Sequence, residues 1–361
     1  MRIWTHSDLY HPGESTGVTP ATVIETVLSG PPTDLLRLAA GPVFLWAAYR
    51  DIQTRRVRNE LWVPLLLLGV VTLAVDALEA ATAGGVRLQL FGIHLLVSLG
   101  IVAPLGYLFW RLGGIGGADA KAIIVLALVF PEFPVYLLPN GTLPLTVTPL
   151  GVFSMTVLSN AVLVGLVSPL LLAVRNLLAG RVSVAMFVGR PADVPDVATA
   201  YGSLLESPDG LTRRGLDLDA LRMYLRWRRL TLADIRSDPA RYRNPNSVPT
   251  APGDPTDGAL AAGPDVTDES LSGSESPVPA VRPTDPDDPW GAAAFLAAID
   301  ASAYGTTPDQ LRAGLDVLAD RDTVWLTPGL PFIVPLAVGL LVALLYGDVL
   351  YALFGAVGVV P

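Results

Sequence analysis

Apolar residues in this chain gather into long uninterrupted runs. A helix needs roughly 17–25 such residues to cross about 30 Å of hydrocarbon. On that measure the pattern predicts six membrane spans. They run from about Leu35 to Tyr49, Leu61 to Leu78, Leu88 to Trp110, Ala120 to Phe130, Leu150 to Val174 and Leu330 to Val359, the last interrupted by Asp348. The fourth run is too short alone. It is read as crossing with help from VYLL at 135–138, or by thinning the bilayer around it.

Between the fifth and sixth runs the pattern changes to that of a water-facing region. Residues 213–236 read as one or two amphipathic helices, with Leu218, Leu221 and Leu225 on one face and Asp217 or Asp219 as the cap. This stretch is read as a solvated helix, with contact of its arginines to acidic headgroups as the rival reading. Residues 244–289 are rich in Pro, Asp, Ser, Gly and Thr and read as a disordered linker. Residues 291–301 and 307–321 then look helical, with Thr307 or Asp309 as N-cap. The expected organisation is an extracytoplasmic segment over 1–32, a five-span membrane core over 33–179, a cytoplasmic insert over 180–327 and a last span over 328–361. The fold class is an all-α polytopic membrane protein.

The short loops set the orientation, because Lys and Arg collect on the cytoplasmic side. Arg50, Arg55, Arg56 and Arg58 lie in one loop, Arg111 and Lys121 in a second, and Arg175, Arg181 and Arg190 open the insert. The alternate loops carry Arg87 alone or no basic residue. Six spans place the three basic segments in the cytoplasm and both termini outside. Residues 1–32 lack the charged start and short apolar core of a secretory signal.

Composition narrows the chemistry. Of 361 residues, 51% are hydrophobic and 16% charged, with a net charge of −9, no cysteine and three histidines. The missing thiols exclude disulfides, thiol catalysis and cysteine-ligated metals. His6, His11 and His94 have no ligand spacing, so neither metal nor other cofactor is expected. The negative charge, concentrated after residue 250, argues against nucleic acid as a partner and suits a salt-adapted protein.

Ionisable groups within or beside apolar runs are costly and mark candidate sites. Here they are Asp51, Glu60, Asp76, Glu79, His94, Asp119, Lys121 and Asp348. Asp119 at a helix start is an ordinary cap. Asp76, Glu79 and Asp348 lie near the outer interface, and His94 reads as a packing residue. Asp51 resists such a reading, because an acid at a helix C-terminus meets the negative end of the dipole. Asp51 ends the first span and Asp119 begins the fourth, so the predicted topology puts both at the cytoplasmic face. Two adjacent carboxylates share one proton, the division of labour of aspartic proteases. Gly113, Gly114, Gly116 and Gly117 before Asp119 offer a bendable, closely approachable backbone.

GGADAK at 116–121 resembles the GxGDxK signature of the type IV prepilin peptidases, a branch of the GxGD membrane aspartyl proteases (A24-like). Residues 51–59, DIQTRRVRN, resemble that family's first motif, an Asp ending span one followed by a turn closed by Asn59. The resemblance covers about residues 35–175. It implies that Asp51 and Asp119 are catalytic, that Asn59, Gly116, Gly117 and Lys121 support them, and that the substrates are type IV pilin or archaellin precursors. Cleavage would fall at the cytoplasmic face, between a short basic leader and the apolar helix after it. The missing cysteines make the chain more similar to the archaeal, peptidase-only branch. Ala118 replaces the motif's second Gly, and Arg58 replaces a Pro common before Asn59 in bacterial members. If position 118 needs positive φ, Ala is strained there. Lys121 is read as holding Asp119 ionised or as snorkelling to headgroups. Two alternatives stay open, another GxGD intramembrane protease and a non-enzymatic transport or assembly subunit using Asp76, His94 or Asp348.

Overall fold

The computed structural model describes residues 20 and 25–359, except 27, 55–56, 113, 213–214, 261–286, 300–302 and 328–331. Most of the extracytoplasmic segment expected over 1–32 lies outside the described residues. The chain forms two units: a membrane unit of residues 1–50, 56–164 and 332–361, and an insert unit of 51–55 and 165–331.

In the membrane unit, α1 (Pro32–Arg37) and α2 (Ala40–Thr54) replace the single first span, and α2 continues past the predicted end at Tyr49. A single turn at Asn59–Leu61 leads into α3 (Trp62–Ala83), which stops at Gly84 with φ +63°. Helix α4 runs over Gly85–Arg111 with a π-helical turn at Ser98–Val102. Ser98 explains that turn's attachment, because its hydroxyl donates to the Ala127 carbonyl at 2.7 Å. Helix α5 is Gly117–Val129 and α6 is Phe153–Leu178.

The buried residues of α3 are Trp62, Leu65, Gly69, Thr72, Asp76 and Ala80. Their three- and four-residue spacing makes one narrow inward stripe. Leu67, Val70, Val71 and Leu78 of the same helix are exposed, as are Leu88, Leu96 and Ile101 of α4. Apolar outer faces and a buried stripe are what a lipid solvent requires. Among the described residues, the helices at Asn59–Ala83, Gly85–Arg111 and Phe153–Leu178 are each long and apolar enough to cross a membrane.

The remaining predicted spans differ from single crossings. Helix α5 rises only about 20 Å. Its residues Ala120, Ala122, Ile123, Val125, Leu126, Ala127 and Val129 are buried. It is thus enclosed by protein around most of its circumference. Gly69 and Gly106 let its neighbours approach: a Cβ on Gly69 would lie 2.8 Å from Leu128 Cγ, and one on Gly106 2.9 Å from Ile123 Cγ2. The extension through 135–138 is corrected. Those residues include β1 (Tyr136–Leu138), paired antiparallel with β2 (Gly141–Leu143) around Pro139 and Asn140. The sixth run is corrected as well. It divides into α12 (Ile333–Leu345) and α13 (Val349–Ala356). Gly347 at φ +100° packs so closely on Thr146 that a Cβ would meet the Thr146 carbonyl oxygen at 1.8 Å. Asp348 is buried and caps α13 by accepting from the Tyr351 N–H at 2.8 Å. It also accepts from the Thr156 hydroxyl.

In the insert unit, β3 (Arg190–Asp193), β7 (Thr323–Thr327) and β4 (Ser203–Leu204) form an antiparallel sheet in the order β3-β7-β4. The short hairpin β5 (Glu206–Ser207) and β6 (Gly210–Leu211) follows β4. Helix α7 (Leu218–Arg228) has Ala220, Leu221, Met223, Tyr224 and Trp227 buried in one cluster with Phe295, Leu315, Leu318 and Leu326. The expectation of a solvated helix is corrected: α7 is the core of this unit. Its arginines serve the protein interior, where Arg228 Nη1 donates to the Trp290 carbonyl at 3.0 Å and Arg222 Nε to that of Gly258 at 2.6 Å. Helices α8 (Leu232–Ser237) and α9 (Pro239–Arg243) follow. The linker expected from 244 is ordered as far as 260, with the Gly253 N–H on the Trp227 carbonyl; residues 261–286 lie outside the described residues. Helix α10 is Ala292–Ala298, and α11 (Pro308–Asp320) is capped by Thr307.

Asp217 caps α7 through its Oδ1, at 2.8 Å from the Asp219 N–H. Burial pushes its carboxyl up to about 6, from an ordinary 3.8. The folded insert then holds a proton between those values that the unfolded chain releases. Stability from this group is therefore greatest at and below about pH 4 and falls as pH rises through 6. Hydrogen-exchange protection of Met223–Trp227 is expected to drop about tenfold between pH 4 and 7, and Asp217→Asn, a neutral cap, to abolish the drop. An equal drop in the variant would refute this.

Candidate active site

At the start of α5 the chain builds its acid from local parts. The Leu112 N–H bonds to the Leu108 carbonyl at 2.9 Å and closes α4; the Gly114 N–H bonds to the Phe109 carbonyl at 2.8 Å. Gly116 is extended, at φ −71° and ψ 160°, and its N–H donates to Asp119 Oδ2 at 3.0 Å. Asp119 is half-buried in the first turn, where the helix dipole favours its charge. Gly116 is thus a site of close approach and needs no left-handed backbone. A Cβ there would lie 3.1 Å from Asp119 Oδ2. Position 118 lies within α5 in ordinary helical geometry, so Ala118 carries no strain.

A Cβ at Gly116 must displace the carboxylate by a few tenths of an ångström. Gly116→Ala is expected to slow any reaction needing Asp119 about tenfold, since small displacements of a reacting group are costly. The variant's amount in membranes should not change. Unaltered turnover would show that the carboxylate's placement does not matter.

The Lys121 ammonium, one turn along the surface from Gly117, donates to Asn59 Oδ1. This adds a partner to the two roles expected for Lys121. It ties the turn before α3 to the second turn of α5. The structure therefore brings together Asn59 with Lys121, and Gly116 with Asp119.

Asp51 sits in the last turn of α2 and is buried. Ala40, Phe44, Ala47 and Ala48 form the buried face of α2, and Asp51 continues it at helical spacing. Those residues share one core cluster with Trp62, Ala122 and Ile123. Asp119 stands three and four residues before Ala122 and Ile123, so it too extends a buried face. Residues 51–55 group with the insert unit.

Asp76, His94 and Asp348 are engaged elsewhere. Arg37 is 3% exposed. It bonds to Asp34 at 2.7 Å, to Asp76, and to the Val129 carbonyl at 2.8 Å. His94 Nδ1 lies 2.7 Å from Glu132 Oε1, and Arg87 grips Glu132 with both terminal nitrogens. Sequence reasoning missed both networks. The available signal was an unexplained charge, Arg37, inside an apolar run at the depth of Asp76. Among the described residues no group of three acidic or histidine side chains is placed to hold a metal.

Apolar-faced helices around an enclosed short helix define a helical membrane protein. Comparison with known proteins agrees. Residues 38–174 match the type IV leader peptidase family, and residues 297–349 match the archaeal peptidase A24 C-terminus, type II. In these two regions the chain is similar to the archaeal A24 peptidases. A preflagellin peptidase of Methanococcus voltae is 30% identical over 139 residues, 38% of this chain. The chain spans about half of that relative, 55% of its length. No solved structure matches.

Proposed function

We propose that this protein is a membrane aspartyl endopeptidase that removes the short basic leader of type IV pilin or archaellin precursors at the cytoplasmic face. The observation that carries the reading is the Lys121–Asn59 bridge. Lys121 follows Asp119 by two residues and Asn59 follows Asp51 by eight, so the bridge joins the two acid-bearing motifs. The buried faces of α2 and α5 that end in these acids support the same pairing.

In this mechanism the pair shares one proton. The ionised carboxylate takes a proton from water as its oxygen attacks the scissile carbonyl carbon. The protonated partner donates to the carbonyl oxygen, and the leaving amine is then protonated as the C–N bond breaks. Lys121 and Asn59 act as positioning residues. The basic segments at 50–60, 111–121 and 175–190 face the cytoplasm in the proposed topology. The preflagellin peptidase likeness supports the substrate class. Transport through Asp76, His94 and Asp348 is not favoured, since each is held in an ion pair, a hydrogen bond or a helix cap.

The test is co-expression with archaellin or pilin precursors, reading leader removal by mobility shift and by sequencing of the new N-terminus. Cleavage after the basic leader is the expected result. Intact precursors throughout would refute the proposal.

A further inference from the structure

Directly after α6, the insert unit turns an apolar collar outward. Leu177, Leu178, Val182, Val184, Phe187 and Val188 are all exposed, with Leu178 and Val184 at 84%. They continue the exposed apolar face of α6 at Leu170, Leu171 and Val174, within the same unit.

The collar is built. Its single turn, Val184–Phe187, opens at Ser183, whose hydroxyl accepts from the Ala185 N–H. Asn176, buried near the end of α6, donates to the carbonyls of Met186 and Gly189, at 2.9 Å each. Ala185 is buried beneath the turn. Buried hydrogen bonds thus hold apolar side chains away from the protein, which in water exposes a costly patch. Beside the collar, Arg181 and Arg190 line a cleft of about 390 Å³ that Asp193 and Asp196 also line. Such a cleft matches a phosphate that carries hydroxyl groups, which can donate to the carboxylates.

We infer that residues 177–190 form a membrane-interface anchor. The apolar collar sits in the acyl boundary, and Arg181 and Arg190 hold the headgroup of an anionic, hydroxylated phospholipid. Continuity with the apolar face of α6 names the occupant, since a lipid covering that face meets the collar next. The charge of the arginines agrees with an anionic headgroup. The inference stands whether or not the aspartates cleave a peptide.

The chain has no cysteine, so single labels carry no background. The full-length protein is reconstituted in vesicles of phosphatidylglycerol and phosphatidylcholine. Spin labels are placed in Val184→Cys and Phe187→Cys, with Leu171→Cys as a lipid reference and Asp209→Cys as a water reference. Power saturation with oxygen and a water-soluble nickel chelate reads the depth. Labels at 184 and 187 are expected to favour oxygen as at 171. Nickel accessibility equal to that at 209 overturns the anchor. Native mass spectrometry then compares retained phosphatidylglycerol and phosphatidylcholine in wild type and in the Arg181→Gln/Arg190→Gln double variant. A several-fold loss of phosphatidylglycerol alone is expected. Equal retention in both proteins overturns the headgroup site.

Discussion

Asp119→Asn leaves a protein present in membranes at its normal level that no longer shortens a pilin or archaellin precursor. Asp51→Asn gives the same result. Each substitution keeps shape and hydrogen-bonding capacity while removing the ability to pass a proton, which general acid–base chemistry requires. The expected loss is at least about a thousandfold in single-turnover cleavage, because neither half of a proton-sharing pair works alone. Asn at 119 can still accept from the Gly116 N–H, so the cap of α5 persists and misfolding is not the cause. The mobility-shift assay is accompanied by a thermal unfolding measurement. Wild-type processing by either variant removes the acid pair from the mechanism.

The second large effect falls far from the acids. Arg37→Leu takes away the cation that satisfies Asp34, Asp76 and the Val129 carbonyl in a buried setting. Two carboxylates are then left facing each other without a counter-charge. Breaking a buried pair in this way costs about 3–5 kcal/mol. The expected result is a steep loss of folded protein in detergent unfolding titrations. Asp34→Asn with Asp76→Asn should recover part of it in the Arg37→Leu background. Arg58→Ala is the control, since the Arg58–Glu60 pair is exposed at 80% and 72% of its side-chain areas. A surface pair is worth about 0–1 kcal/mol. Equal stability of the two arginine variants would show that the triad carries no weight.

Much of this was legible because lipid simplifies the sequence. Apolar runs must be helices, so α3, α4 and α6 stand out from composition alone. The Thr307 and Asp217 caps follow from local chemistry and were equally readable. What composition cannot show is where one run bends. Gly347 stands between Tyr346 and Asp348, and nothing local announces its contact with Thr146, two hundred residues away in sequence, which divides the last run. The same limit hid the enclosure of α5, since hydropathy does not tell a lipid-facing leucine from one facing another helix. In the insert, the arginines of α7 suggested solvent, but long side chains that reach carbonyls can line an interior. The motif residues were found individually, whereas the bond between Lys121 and Asn59 is a tertiary fact with no local signature.

In the insert's sheet, β3 begins at Arg190 and pairs with Leu326 near the end of β7. Entry and exit of about 140 residues therefore abut as antiparallel neighbours. A module whose ends meet can be gained or lost between two helices without stretching either.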